Sequence, residues 1–506
     1  MRKTFVLMLL IGLGLFAWGS PQELPLPERA TGLGLAWSPD GSGIVVLYRG
    51  DEGGVAERLE VPSGESRWRA TGLKISTWKH PLAFSPDGKE LAIGEWSGVR
   101  LLDATDGTTL RTIELEERFH PLALAFRPDG TLAMAVEEVR GLPGSLYLEL
   151  RDRTGALMER RPLGKRFTPA PRPEAAFSPD GRWLAFAAGT DEEPGGEVWF
   201  VHLLDLESGS IRMWDLRELA PELPWAHLRV QIAGVTIRPD GREIAVGLYA
   251  ADSGRPLVLR LDTETGELIG RLFPLEWEEP YIHYVVEELA YSFEGDFLAF
   301  SAYSPDAPAT AFRTLAVANL IQEEPEVTLL CQNGLLGECP IRSPCFSPDG
   351  RTLASLWWNK IQLWNLCPEI AQLPDPAWAF SFSSGGAYHP EGLGEWRVRL
   401  DASGRFEVAH QVMDEVEDFG PFQLEPEENR RIWELIEAVD IPNRKSSTRP
   451  GVPDEVQYTF ALGSATCLHK VTLWINDARE DEALMALVEA IAALIEKYTG
   501  QVPWLG

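Results

Sequence analysis

The sequence predicts a mainly β chain: a seven-bladed β-propeller followed by a small α+β domain with the element order ββαββα. Three observations predict it. A Ser-Pro-Asp-Gly tetrapeptide or a close relative recurs seven times. Each copy sits between two short apolar runs of strand length, and the recurrence stops at Gly350, after which helical periodicity begins. The boundaries expected are residues 1–19 for a signal peptide, 20–370 for the propeller and 371–506 for the C-terminal domain.

The copies are Ser38-Pro39-Asp40-Gly41, Ser85-Pro86-Asp87-Gly88, Arg127-Pro128-Asp129-Gly130, Ser178-Pro179-Asp180-Gly181, Arg238-Pro239-Asp240-Gly241, the degenerate Ser292-Phe293-Glu294-Gly295, and Ser347-Pro348-Asp349-Gly350. Successive glycines lie 47, 42, 51, 60, 54 and 55 residues apart, the spacing of a supersecondary unit with insertions. Pro presets φ, Asp holds its own backbone, and Gly takes the left-handed φ that closes a hairpin. A second strand end follows in most units, as in Leu101 to Gly107, Leu204 to Gly209 and Leu261 to Gly266. Two hairpins make a four-stranded sheet, which buries both faces only when sheets stack around an axis. The seventh unit shows three strands by Leu366. The fourth is expected near Glu23 to Arg29, closing the ring, or else from the segment after Leu366.

The pattern apolar-x-Phe-Ser-Pro-Asp-Gly-x-x-Leu-Ala resembles WD-repeat and TolB-like propeller repeats. Ile211 to Leu216 and Ile361 to Leu366 resemble the third strand of a WD repeat. The resemblance implies a propeller over about two thirds of the chain and little about activity, because the fold hosts many. The Gly-His that precedes a WD repeat is missing, so apolar packing between blades is expected to replace that family's buried hydrogen-bond network. The Leu-Asp-x-x-Thr-Gly strand ends resemble quinoprotein repeats but lack their trailing Trp, and no cofactor is expected.

At the N-terminus, Arg2 and Lys3 precede an apolar run from Phe5 to Trp18, and Ala17-Trp18-Gly19 puts small residues before a cut at Ser20. That is the layout of a secretory signal, and it predicts a secreted or periplasmic protein with no membrane span after signal removal. The chain carries 46 basic and 76 acidic side chains, a net charge of −30. A phosphate backbone needs a basic face, so nucleic acid is excluded as the main partner. The five cysteines are Cys331, Cys339, Cys345, Cys367 and Cys467. An exported context permits disulfides. A turn-rich loop separates Cys331 from Cys339, which either bridge or remain buried thiols, and the odd total leaves at least one cysteine unpaired.

Past Gly350 the reading is a segment opening at Phe382 to Gly386, a hairpin around Asp401 to Gly404, and a helix from Leu424 to Val439. A second hairpin (Val456 to Leu462 with Lys470 to Ile475) and a helix from Glu482 to Tyr498 follow. The arrangement resembles a domain of unassigned function in exported bacterial proteins. The acidic run Asp414 to Asp418 reads as a solvated face.

No G-x-S-x-G, H-E-x-x-H, phosphate loop or EF-hand pattern occurs, so neither catalytic residues nor metal ligands are assigned. Two connections stand out. Trp277, Glu278, Glu279, Tyr281 and His283 combine aromatics, carboxylates and an imidazole between the fifth and sixth units, the mix of a binding surface. Thr190 to Gly196 is an acidic loop in the fourth unit. The expected function is an exported, non-catalytic propeller scaffold that binds a protein or peptide. The alternatives are a metal-dependent hydrolase or lactonase with a site in the propeller channel, and a structural adaptor of the cell envelope. The sequence carries no signature of oligomeric state.

Overall fold

The computed structural model describes residues 21–75, 81–138, 144–166, 175–188, 200–221, 223, 230–250, 257–272, 284–303, 313–320, 325–332, 341–357, 359–367, 373–376, 378–385, 394–412, 415–447, 455–464 and 467–505. The expected signal segment of residues 1–19 lies outside them. Two compact units emerge, Met1–Leu366 and Cys367–Gly506.

In the first unit every repeat becomes antiparallel strands joined at the glycine-closed turns. The first sheet runs Thr31–Trp37, Gly43–Gly50, Gly53–Glu60 and Ser66–Leu73. The second runs Leu82–Phe84, Glu90–Glu95, Gly98–Asp103 and Thr109–Glu114; the third Phe119–Phe126, Leu132–Glu138, Gly144–Arg151 and Leu157–Arg166; the fourth Ala175–Phe177, Trp183–Ala187, Phe200–Asp205 and Ile211–Asp215. Next comes an eight-stranded sheet. Val230–Ile237, Glu243–Ala250, Leu257–Asp262 and Leu268–Leu272 join Tyr284–Tyr291, Phe297–Tyr303, Arg313–Asn319 and Glu326–Gln332 through two pairs, Tyr249 with Val285 and Ala250 with Tyr284. The last sheet holds Ile341–Phe346, Thr352–Trp357 and Lys360–Asn365, and its fourth strand is Gln22–Pro25, with Gln22 opposite Leu363 and Pro25 opposite Lys360. This N-terminal strand is an edge, where a proline costs no ladder bond.

The first strand of each repeat packs on the first strand of the next, and Ile341–Phe346 packs back on Thr31–Trp37. The sheets therefore form a closed β-propeller with these strands innermost. Apolar clusters fill the gaps between neighbouring sheets. The one at closure joins Leu24, Ile44, Val46 and Tyr48 to Leu356, Ile361 and Leu363.

The turns show why their residues recur. Gly41, Gly88, Gly130, Gly181, Gly241, Gly295 and Gly350 all sit at φ between +66° and +83°. Ser38 Oγ donates to Asp40 Oδ1 at 2.6 Å and accepts from Gly43 N–H at 3.0 Å, while Ser42 N–H donates to Asp40 at 3.1 Å. The serine thus satisfies a buried strand amide, and the same Ser–Asp pair recurs at Ser85, Ser178 and Ser347. These donors hold the Asp40 carboxyl at about 2, the Ser38 hydroxyl contributing most. A Cβ at Gly181 would lie 2.9 Å from Phe126 O in the preceding sheet, besides forcing a side chain onto φ +66°. Gly181→Val is expected to cost about 1–3 kcal/mol, read as a lowered melting temperature; an unchanged melt would contradict the turn's role.

Polar contacts also tie neighbouring sheets. Trp68 Nε1 and Arg58 Nη1 both donate to Ala104 O at 2.9 Å, Arg161 donates to Gly209 O at 3.0 Å, and Arg212 donates to Thr263 O. Each donor reaches from one sheet to an outer turn of the next. Apolar packing thus shares the seams with hydrogen bonds from Trp and Arg side chains.

The C-terminal unit is a six-stranded antiparallel sheet in the order Glu415–Gln423, Arg405–Val412, Glu395–Asp401, Ala379–Gly385, Gln457–Gly463 and Leu468–Trp474. Helices Pro426–Val439 and Glu482–Thr499 supply Ile432, Trp433, Ile436, Leu487, Val488 and Ile491 to its core. The first helix carries Pro at its start, and the second is capped by Asp481, which accepts from Ala483 and Leu484 N–H at 3.0 and 3.1 Å. The described order differs from ββαββα: four strands, not two, precede the first long helix. Ala379–Gly385 is central, paired on both sides, and buries Phe380 and Phe382 on one face. Glu415–Gln423 is the exposed edge, so its acids are solvated as expected but on a strand. Charge on an outer strand guards it against pairing with other chains.

Candidate functional site

The two rims of the propeller are built differently. Antiparallel strands deliver alternate connections to opposite ends. At one end the Ser-Pro-Asp-Gly turns span five residues each (38–42, 85–89, 127–131, 178–182, 238–242, 292–296, 347–351). The second turns at this end, 61–65, 104–108, 152–156, 206–210 and 263–267, match them, and 320–325 is one residue longer. At the other end the connections are uneven: residues 51–52 and 96–97 are two-residue turns, whereas 188–199, 216–229, 273–283, 304–312 and 333–340 are long. Short uniform turns hold the ring; long uneven ones can carry recognition chemistry.

Trp277, Glu278, Glu279, Tyr281 and His283 all belong to the connection 273–283, outside the described residues, but both flanking strand ends, Leu272 and Tyr284, lie at the uneven rim. Thr190 to Gly196 also falls outside, between Ala187 and Phe200 at that rim. Cys339 and the side chain of Cys331 lie outside too.

Sequence reasoning missed the described side chains at this rim. Trp96 is 44% exposed in a two-residue turn and meets His120 of the next sheet edge-on at 4.1 Å. Buried Glu95 holds Arg100 at 2.7 Å and accepts the Lys74 N–H at 3.0 Å. In the third sheet the Phe119 ring lies beneath Arg118 and Arg160, at 5.1 and 4.6 Å, with Tyr147 edge-on at 5.6 Å. Toward the opposite rim, fully buried Glu149 pairs with Arg151, which adjoins the turn 152–156, and with Arg160, each at 2.6 Å. Tyr48 donates to Glu57 at 2.7 Å, and burial, then that carboxylate, pushes its phenol up to about 12. His202 stacks on Phe186 at 4.8 Å with Nε2 3.2 Å from Ala188 O; burial lowers its pKa, favouring the neutral ring. Trp96 and Arg118 are the exposed members of this set, while Glu95, Phe119, Glu149, Tyr48, Phe186 and His202 are buried and brace the sheets from within. No local signal in the sequence pairs Trp96 with His120, because the two belong to neighbouring sheets.

Among the described residues, one place brings three metal-type donors together, Cys367, Cys467 and His469 in the C-terminal unit. Cys367 and Cys467 are disulfide-bonded across a sequence separation of 100, and Cys345 is a free thiol that burial pushes far above its usual range. Nothing local in the sequence marks the Cys367–Cys467 pair.

No protein-family model and no curated protein matches the chain. Among solved structures, it is similar to one titled Kuenenia stuttgartiensis Hydrazine Synthase, at 18% identity and a TM-score of 0.46, covering 67% of this chain and 96% of that one. It is also similar to one titled Structure of Dos1 propeller, at 11% identity and a TM-score of 0.44, covering 71% and 97%. Among the described residues no helix is long and apolar enough to cross a membrane.

Proposed function

We propose that the chain is an exported, non-catalytic scaffold: a seven-bladed propeller of the WD-repeat and TolB-like kind that binds a protein or peptide on its uneven rim. The eight-stranded sheet counts as two blades, since each of its halves begins with an innermost strand and carries its own glycine-closed turn. The observation that carries the functional reading is the contrast between five-residue turns on one rim and connections as long as 273–283 and 188–199 on the other. Trp277, Glu278, Glu279, Tyr281 and His283 would supply the binding surface, with Trp96 as a further exposed ring on the same rim. The apolar run from Phe5 to Trp18 and its small-residue cut support export to a secreted or periplasmic location. The C-terminal unit is read as an accessory α+β domain of the same exported chain.

The test is a pull-down with tagged mature chain from the exported fraction, beside a Trp277→Ala/Tyr281→Ala variant. A partner protein retained by the parent and lost by the variant is the expected result. No partner, or one held equally by both, would overturn the assignment. Tight co-purification of one divalent ion with the propeller would favour the hydrolase reading instead.

A further inference from the structure

Cys367 is the first residue of the C-terminal unit, and Cys467 lies just before the strand Leu468–Trp474, which carries His469. His469 Nε2 is 3.4 Å from Cys367 Sγ, and the three donor atoms all lie within 4.8 Å of one another. Cys467 is 2% and His469 8% exposed, while Cys367 is partly exposed. The Trp378 ring lies over the imidazole at 5.6 Å, restricting its rotation. Two sulfurs and one imidazole, with no carboxylate among them, are a donor set for zinc and other thiophilic ions, and a poor one for calcium or magnesium. On a tetrahedral zinc ion, sulfur and nitrogen ligands stand about 3.5 Å apart, close to the separation already held between Cys367 and His469.

We propose that Cys367, Cys467 and His469 form a redox-gated site that binds a thiophilic divalent cation in its dithiol state and binds none in the disulfide state. Thiolate, not disulfide sulfur, is the ligand. A dithiol reductant supplies two electrons and two protons: the Cys367–Cys467 bond breaks, each sulfur takes a proton, and the reductant becomes a disulfide. Metal binding then displaces both protons and adds the His469 nitrogen. Three protein ligands leave one tetrahedral position for water.

The test uses full-length mature chain reduced with dithiothreitol, desalted without oxygen and titrated with Co²⁺ alone. One ion per chain is expected, with sulfur-to-cobalt charge-transfer and tetrahedral visible bands, against none for the oxidised protein. Cys367→Ser and His469→Ala should each lose at least about tenfold in affinity, since even removing a residue behind a ligand costs that much. Reduced parent and Cys367→Ser both lack the crosslink, so circular dichroism of the pair separates a lost ligand from lost folding. Failure of the reduced parent to bind, equal binding by oxidised protein, or a folded Cys367→Ser that binds like the parent would each overturn the proposal.

Discussion

Cys467→Ala lowers the stability of the C-terminal unit by about 5 kcal/mol, the chain-entropy value for a crosslink closing a loop of about 100 residues. The bond joins the first residue of the unit to the end of a hairpin loop, with a sequence separation of 100. Strands Ala379–Gly385, Glu395–Asp401, Arg405–Val412, Glu415–Gln423 and Gln457–Gly463 and helix Pro426–Val439 all lie inside that loop. Cutting the bond enlarges the unfolded ensemble of nearly the whole unit while leaving its core of Phe380, Trp433, Phe460 and Leu487 in place. The unit should still fold, at a lower temperature. Alanine at a site 2% exposed introduces no buried polar group, so the effect belongs mainly to the lost bond. Calorimetry should show the variant and the reduced parent melting together, roughly 15 °C below the oxidised parent. A difference under about 2 °C would mean that the bond contributes little to folding.

How much of this was legible depended on whether the chemistry was local. The propeller turns were, because proline, aspartate and glycine act on their own backbone within four residues. The closing strand Gln22–Pro25 was anticipated from a shortage of strands in the last repeat. The strand Ala379–Gly385 was missed at its centre, because Ser381, Ser383 and Ser384 mask an alternation whose buried members are Phe380 and Phe382. The edge strand Glu415–Gln423 was hidden by its charge. The bonds from Trp68 and Arg58 to Ala104 cross between repeats, and Cys367 meets Cys467 across most of a domain, so neither leaves a short-range pattern. For the candidate site, the uneven rim was implicit in the irregular repeat spacing, whereas Trp96 against His120 depends on two sheets meeting.

Glu243→Gln tests how the ring is held where two repeats share one sheet, and its expected cost is about 3–5 kcal/mol, the range for breaking a buried ion pair. Glu243 is 4% exposed and Arg260 8%. Arg260 donates through Nε at 2.6 Å and through Nη2 at 2.9 Å, one bond to each carboxylate oxygen. The Tyr291 hydroxyl, at the end of the innermost strand of the following repeat, donates to the same carboxylate at 2.8 Å. One acid therefore satisfies a cation in its own repeat and a phenol in the next. Glutamine keeps the volume but leaves the buried guanidinium without a counter-charge. Tyr291→Phe removes only a neutral donor and should cost about 1 kcal/mol. Replacing both charged partners, as Glu243→Met/Arg260→Met, should recover part of the loss, because an apolar pair carries no desolvation cost while the buried Tyr291 hydroxyl is left without its acceptor. Urea midpoints of the four proteins distinguish the cases. A Glu243→Gln loss below about 1 kcal/mol would class the pair with solvent-screened surface bridges. A double variant weaker than Glu243→Gln would mean that the charges themselves, rather than the filled space between the repeats, hold this seam.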